Sequence, residues 1–154
     1  MEIDPRIEEH VREAYRGVIA RDGDRMVAAF RDLNAEDSAK AVAYGVFVLG
    51  YIVNDVFRDG ASDTDLQTLA AKIIKSESDW INLNSADNLA RVLRSAAVAD
   101  VTFPGVPRGD VIGHVFAAGG YLLGVYRRAD EEWWNYLDEI WAALLAAPDP
   151  QERA

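Results

Sequence analysis

The sequence predicts an all-α protein, a single bundle of about seven helices around two buried central ones. Three observations carry that expectation. Apolar residues recur at i, i+3, i+4 and i+7 along most of the chain, and no segment alternates at period two for long. Residues that start helices stand just ahead of four of these stripes, at Asp4-Pro5, Asn34, Ser62 and Ser85. Two stretches, about 35–59 and 110–128, are apolar on every side, and a helix of that kind is either buried in a core or spans a membrane.

The first helix begins at the capping carboxylate of Asp4, with Pro5 at its first position. Ile7, Val11, Ala14 and Val18 mark its inner face, with Tyr15 beside them. Glu8 and Arg12 are spaced to pair across one turn on the outside. Asp22-Gly23-Asp24 ends this helix and caps a second, whose apolar positions are Met26, Val27, Phe30 and Leu33. Asn34 caps the third, and Glu36 and Asp37 in its first turn favour the positive end of the helix dipole. This third helix runs to about residue 59 and stops at Gly60, a rod of roughly 36 Å. Its segment AVAYGVFVLGYIVNDVF carries no charge before Asp55. A membrane span takes roughly 18 to 20 uncharged residues, so this shorter run predicts the centre of a core.

Ser62 caps a fourth helix with Leu66, Leu69, Ala70, Ile73 and Ile74 on one stripe and Lys72 and Lys75 near its carboxyl end. Residues 76–84 read as a connector pinned by Trp80, Ile81 and Leu83. Ser85 caps a fifth helix carrying Leu89, Val92, Leu93 and Ala96. Residues 100–110, with Pro104-Gly105 and Pro107, form the longest irregular stretch, held down by Phe103 and Val106. The sixth helix, from Asp110 to about residue 128, is the second central rod. Asp130, Glu131 and Glu132 open the seventh, where Trp134, Leu137, Trp141 and Leu145 follow a stripe expected to face the core. The helices make one domain, 1–147, and 148–154 is a tail with nothing to bury.

Half the residues are hydrophobic, so a packed core needs no metal or disulfide staple, and cysteine is absent altogether. That composition removes thiol catalysis and thiolate metal sites, and it suits a cytoplasmic protein. The amino terminus is acidic and lacks the cationic and apolar regions of an export signal. A net charge of -10 argues against nucleic acid and anionic membranes as partners, because phosphate binding needs a basic face.

Sliding the chain by 69 residues lays Val46-Phe47 on Val115-Phe116, Gly50 on Gly119, and Val56-Phe57-Arg58 on Val125-Tyr126-Arg127. One reading of these matches, beside the plain bundle, is an internal duplication of a three-helix unit, 24–75 against 85–147, with the first helix as an addition. The two central helices would then lie against each other. An irregular helical bundle without duplication predicts the same core residues.

Six glycines interrupt the central helices: Gly45 and Gly50 in one, Gly113, Gly119, Gly120 and Gly124 in the other. Each costs about 1 kcal/mol against alanine inside a helix. Close helix crossing is the ordinary reason to accept that cost. Room for a ligand, or for a symmetric partner's helix beside Gly120 and Gly124, is the sharper one.

No chemical apparatus stands out. His114 lies alone on the greasy sixth helix with no histidine or carboxylate at i+4, which reads as a hydrogen-bonded core residue and not as a metal ligand. His10, near Glu9 and Glu13, reads as solvated. Asp55 is spaced to pair with Arg58; turned inward, it would become a candidate acid or base. Phosphate-binding, nucleophile-elbow and zinc-protease motifs are missing, so an enzyme is the third choice, and no cofactor and no metal are expected. The leading expectation is a non-catalytic interaction protein, a homodimer that presents a surface to a protein partner, with Trp133, Tyr136, Trp141, Gly120 and Gly124 at the interface. The alternative is a binder of a small apolar ligand, in a cavity between the two central helices lined by Tyr44, Tyr51, His114 and Tyr121.

Overall fold

A computed structural model of the chain describes residues 2–83 and 85–146. Among them run seven helices and no strand: α1 (Pro5–Ile19), α2 (Gly23–Arg31), α3 (Ala35–Val56), α4 (Asp63–Glu77), α5 (Ala86–Ala97), α6 (Arg108–Tyr126) and α7 (Trp133–Ala146). The tail expected at 148–154 lies outside the described residues.

The starting signals act as the sequence implies. The side chains of Asp4, Asn34, Ser62 and Ser85 accept backbone N–H groups of Arg6, Asp37, Asp65 and Asn88 at 2.9, 2.8, 3.0 and 3.1 Å. At α4 the Asp65 carboxylate returns the bond to the Ser62 N–H at 3.0 Å, closing a capping box. Boundaries move at two ends. α3 stops at Val56, a turn before Gly60, because Phe57 leaves the helical region and Gly60, at φ +93°, closes the turn onto the Phe57 carbonyl. α6 begins earlier than expected, at Arg108, since Pro107 supplies its capping position without needing an N–H donor. It ends at Tyr126, where Arg127 turns extended.

The two apolar rods lie at the centre. α3 is long and apolar enough to cross a membrane by length and composition, yet α1, α5, α6 and α7 pack around it and half of its most apolar window is buried. α3 and α6 meet directly: a Cβ at Gly45 would stand 2.8 Å from Phe116 Cζ and 2.9 Å from Val115 Cγ1. Close crossing therefore explains Gly45. It also explains Gly50, where a Cβ would reach 2.1 Å from the Ala96 carbonyl oxygen of α5, and Gly120, where it would reach 2.4 Å from Val18 of α1.

Parts of the two halves are arranged alike, though not in the way the sequence offset suggests. α5 lies on α3 as α1 lies on α6. Both flanking helices end the same way. Asp22 N–H bonds the Gly17 carbonyl at 2.8 Å with Arg21 left-handed at φ 57°, and Asp100 N–H bonds the Ser95 carbonyl at 2.8 Å with Ala99 at φ 54°. In this likeness α1 stands with α5 and α3 with α6, and α2 has no matching partner. α2 packs its Met26 and Ala29 inward and rests Phe30 edge-on against Phe116, ring centroids 5.0 Å apart, while Val27 points out at 56% exposure.

α7 also sits in a different register from the expected stripe. Trp133, Tyr136, Leu137, Ile140 and Trp141 face inward, and Trp134 and Leu145 stand 43% and 48% exposed. The choice between the two stripes, which share Leu137 and Trp141, is made at the seam with α1. Trp141 Nε1 donates to Glu8 at 3.0 Å, and Arg12 bridges Glu8 and Asp138 at 2.6 and 2.8 Å.

Candidate interaction groove

On α3, Phe47, Gly50, Tyr51, Asn54 and Asp55 fall at i, i+3, i+4, i+7 and i+8, one continuous stripe. This stripe lines an open groove of about 410 Å³ between the end of α5 and the end of α7. Ala96, Ala97 and Ala99 form one side and Leu144 the other. The small side chains and the close approach at Gly50 are what make it a depression. Asn54 fixes the wall by donating to the Ala97 carbonyl at 3.0 Å.

The polar end belongs to Asp55. Tyr136, whose phenol burial and the nearby Asp55 charge push well above its ordinary value, reaches Asp55 Oδ2 with its hydroxyl at 3.4 Å. Arg58 approaches the other oxygen only to 3.8 Å and is 83% exposed. The carboxylate therefore faces outward, in the surface arrangement that its spacing from Arg58 implies.

A second, smaller hollow of about 190 Å³ occupies the equivalent place on α6. Val18, Ile19 and Arg21 take the positions of Ala96, Ala97 and Ala99, and Gly124 takes that of Asp55. Here Arg21 lies across the opening. Its guanidinium donates to Glu77 at 3.2 Å, to the Ser76 carbonyl at 2.8 Å, and to Asp79. Glu77 is only 5% exposed and also accepts the Trp80 indole N–H, so the end of α4 is tied to the end of α1.

The four residues expected to share a ligand cavity are set apart. Tyr44 is buried, its ring edge-on to Trp141 and its hydroxyl accepting the Asp4 N–H at 2.9 Å. Tyr51 belongs to the α3 groove and Tyr121 to the α6 hollow. His114, 2% exposed, places Nδ1 2.7 Å from the Asp110 carbonyl and Nε2 2.9 Å from that of Leu83, stitching α6 to the segment before α5. The contact of Gly45 with Phe116 fills the space between the rods where a cavity was expected.

The expected interface residues divide too. Trp133, Tyr136 and Trp141 are covered by their own chain, and Gly120 is covered by Val18. Gly124 alone faces open space. His10, expected to be solvated, donates from Nδ1 to the Ala29 carbonyl at 2.8 Å and holds α2 against α1. Among the described residues, no group of three or more His, Asp or Glu side chains is placed to hold a metal ion.

Fold and groove together define an all-helical single domain, as far as the described residues run, with an open groove on α3. No protein-family model, curated protein or solved structure matches the chain significantly.

Proposed function

We propose that the chain is a non-catalytic interaction protein whose working surface is the α3 groove, where it receives a segment of a protein partner. The observation that supports this reading is the stripe of Phe47, Tyr51 and Leu144, apolar side chains left partly open to water around a depression about two helical turns long. A depression walled by apolar side chains at helical spacing, with a polar group at its rim, has the form of a helix-receiving groove. To test it, a photo-crosslinking phenylalanine analogue replaces Tyr51 in cells, with the same analogue at the exposed Val27 of α2 as control. A defined polypeptide, identified by mass spectrometry and joined from position 51 but not from 27, is the expected result. Adducts of equal identity and yield from both positions, or none from 51, overturn the proposal.

A homodimer is the second reading, favoured by a separate observation. Trp134 and Leu145 share the outward face of α7, and Trp134 is held upright by edge-on packing against Trp133 at 5.7 Å. Light scattering behind size exclusion reads the mass directly. Wild-type chain running as a monomer at micromolar concentration removes this reading, and a dimer that Trp134→Glu dissociates supports it.

A further inference from the structure

We infer that the α3 groove takes a cationic side chain, an arginine carried by the partner's segment among apolar neighbours; this rests on the groove being the working surface. The α3 groove and the α6 hollow are each flanked by a helix that ends in the same left-handed turn, α5 at Ala99 and α1 at Arg21. Of two equivalent depressions, the one on α6 holds a guanidinium from within the chain, since Arg21 occupies the left-handed position that follows α1. In the α3 groove the same left-handed position is Ala99, whose methyl fills nothing, and the depression is correspondingly larger, about 410 against 190 Å³. No side chain of the lining residues brings a guanidinium into the α3 groove.

The charge in the groove has the matching sign. Arg21 is held by Glu77 and Asp79 at the end of α4, whereas in the α3 groove the lining acid is Asp55, on α3 itself. Its nearest cation, Arg58, is at 3.8 Å, with an 83% exposed side chain; a pair of that kind is screened and contributes little. An arriving arginine can donate to the Asp55 carboxylate from closer than Arg58 and lay its planar head over the Tyr51 ring, an arrangement suited to guanidinium more than to ammonium. Phe47, Ala97 and Leu144 then meet the apolar residues on either side of it. The overall charge of -10 draws such a segment in at long range.

The test uses the full chain and displayed random linear peptides. Enriched peptides are synthesised with a fluorophore and titrated by anisotropy, alongside analogues in which arginine is replaced by its neutral isostere citrulline. Asp55→Asn, Ala99→Arg and Tyr51→Ala chains are titrated too, after melting curves establish that each folds. The citrulline arm needs no protein variant, so a misfolded one cannot blur the outcome. The expected consensus is one arginine with apolar residues at helical spacing. Citrulline and Asp55→Asn should each weaken binding about tenfold or more, the scale of a close charge pair. Ala99→Arg, which supplies the missing guanidinium from inside, should abolish it. Peptides whose binding needs Tyr51 but ignores both citrulline and Asp55→Asn would overturn the cationic anchor and leave the groove as the working surface. Failure to enrich any peptide, together with self-association that Ala99→Arg blocks, would make a second copy the occupant and overturn the partner segment. Neither peptides nor self-association would remove both readings together.

Discussion

Replacing Gly50 by alanine should destabilise the protein, although alanine is the better helix former. The ideal Cβ at Gly50 falls 2.1 Å from the Ala96 carbonyl oxygen and 2.9 Å from its carbon. Carbon and oxygen settle no closer than about 3.3 Å, so the end of α5 must retreat by about 1 Å. The obstacle is backbone, already committed to the turn that ends α5, and it cannot swing aside as a side chain would. Inserting a methyl into such a contact costs about 3 kcal/mol, the upper part of the usual range for overpacking. Helix propensity returns about 1 kcal/mol, leaving a net loss of about 2 kcal/mol. Gly113 is the matched control, because its Cβ would meet nothing nearer than Ile81 Cδ1, an ordinary 3.7 Å contact. Gly113→Ala should therefore gain about 1 kcal/mol. Urea denaturation followed by circular dichroism measures both. With a slope of about 2 kcal/mol per molar, the midpoint should fall by about 1 M for Gly50→Ala and rise by about 0.5 M for Gly113→Ala. If Gly50→Ala leaves the midpoint unchanged or raises it, α3 and α5 do not cross as described, and the groove built on that crossing goes too.

Three more measurements bear on the fold. Tyr15 is fully buried and, among the described residues, its hydroxyl has no hydrogen-bond partner; burial pushes its phenol far above the ordinary value. Tyr15→Phe removes the unsatisfied group and should stabilise the protein by about 1 kcal/mol, visible as a higher denaturation midpoint; a lower midpoint would mean the hydroxyl is paired. Ala99 sits at φ 54°, a conformation that costs a residue with a Cβ about 1 kcal/mol, so Ala99→Gly should raise the melting temperature by about 2–4 °C. Finally, Arg6 holds the Asp37 carboxyl below its ordinary 3.8, Arg25 with Arg16 holds Glu13 below 4.5, and the Thr102 hydroxyl and N–H do the same for Asp100. Each is depressed in the folded state, so its stabilisation is fully present above pH about 5 and is lost as pH falls through those lowered values. Midpoints measured from pH 7 to 2.5 should stay level and then drop below pH 4, with a shallower drop in Asp37→Asn; an unchanged profile in that variant would deny the Arg6 pairing.

Helix number and order were legible because capping and periodicity are local. Asp4, Asn34, Ser62 and Ser85 bond the N–H groups they stand before. That α3 is a helix was plain, but its place in the core is shown by the helices packed around it, since its length and composition would also suit a membrane span. The register of α7 was not legible. Trp133 and Trp134 each open a good stripe, and the choice falls to Glu8 and Arg12, more than a hundred residues away in sequence. The likeness of α1 to α5 was not legible, because it lies in their closing turns and not in shared letters. The groove left the least trace of all. Its sides come from three separate helices, and its depth comes from alanine and glycine, residues that mark a place by what they lack.

The nine residues of α2 have an effect out of proportion to their number. Through Phe30, α2 closes over Phe116 on one side of the core, and Phe47 on the other side stays partly open and lines the α3 groove. The helix thereby makes unlike two faces that the matching apolar rods would otherwise leave alike, and the larger hollow falls on the side it does not cover.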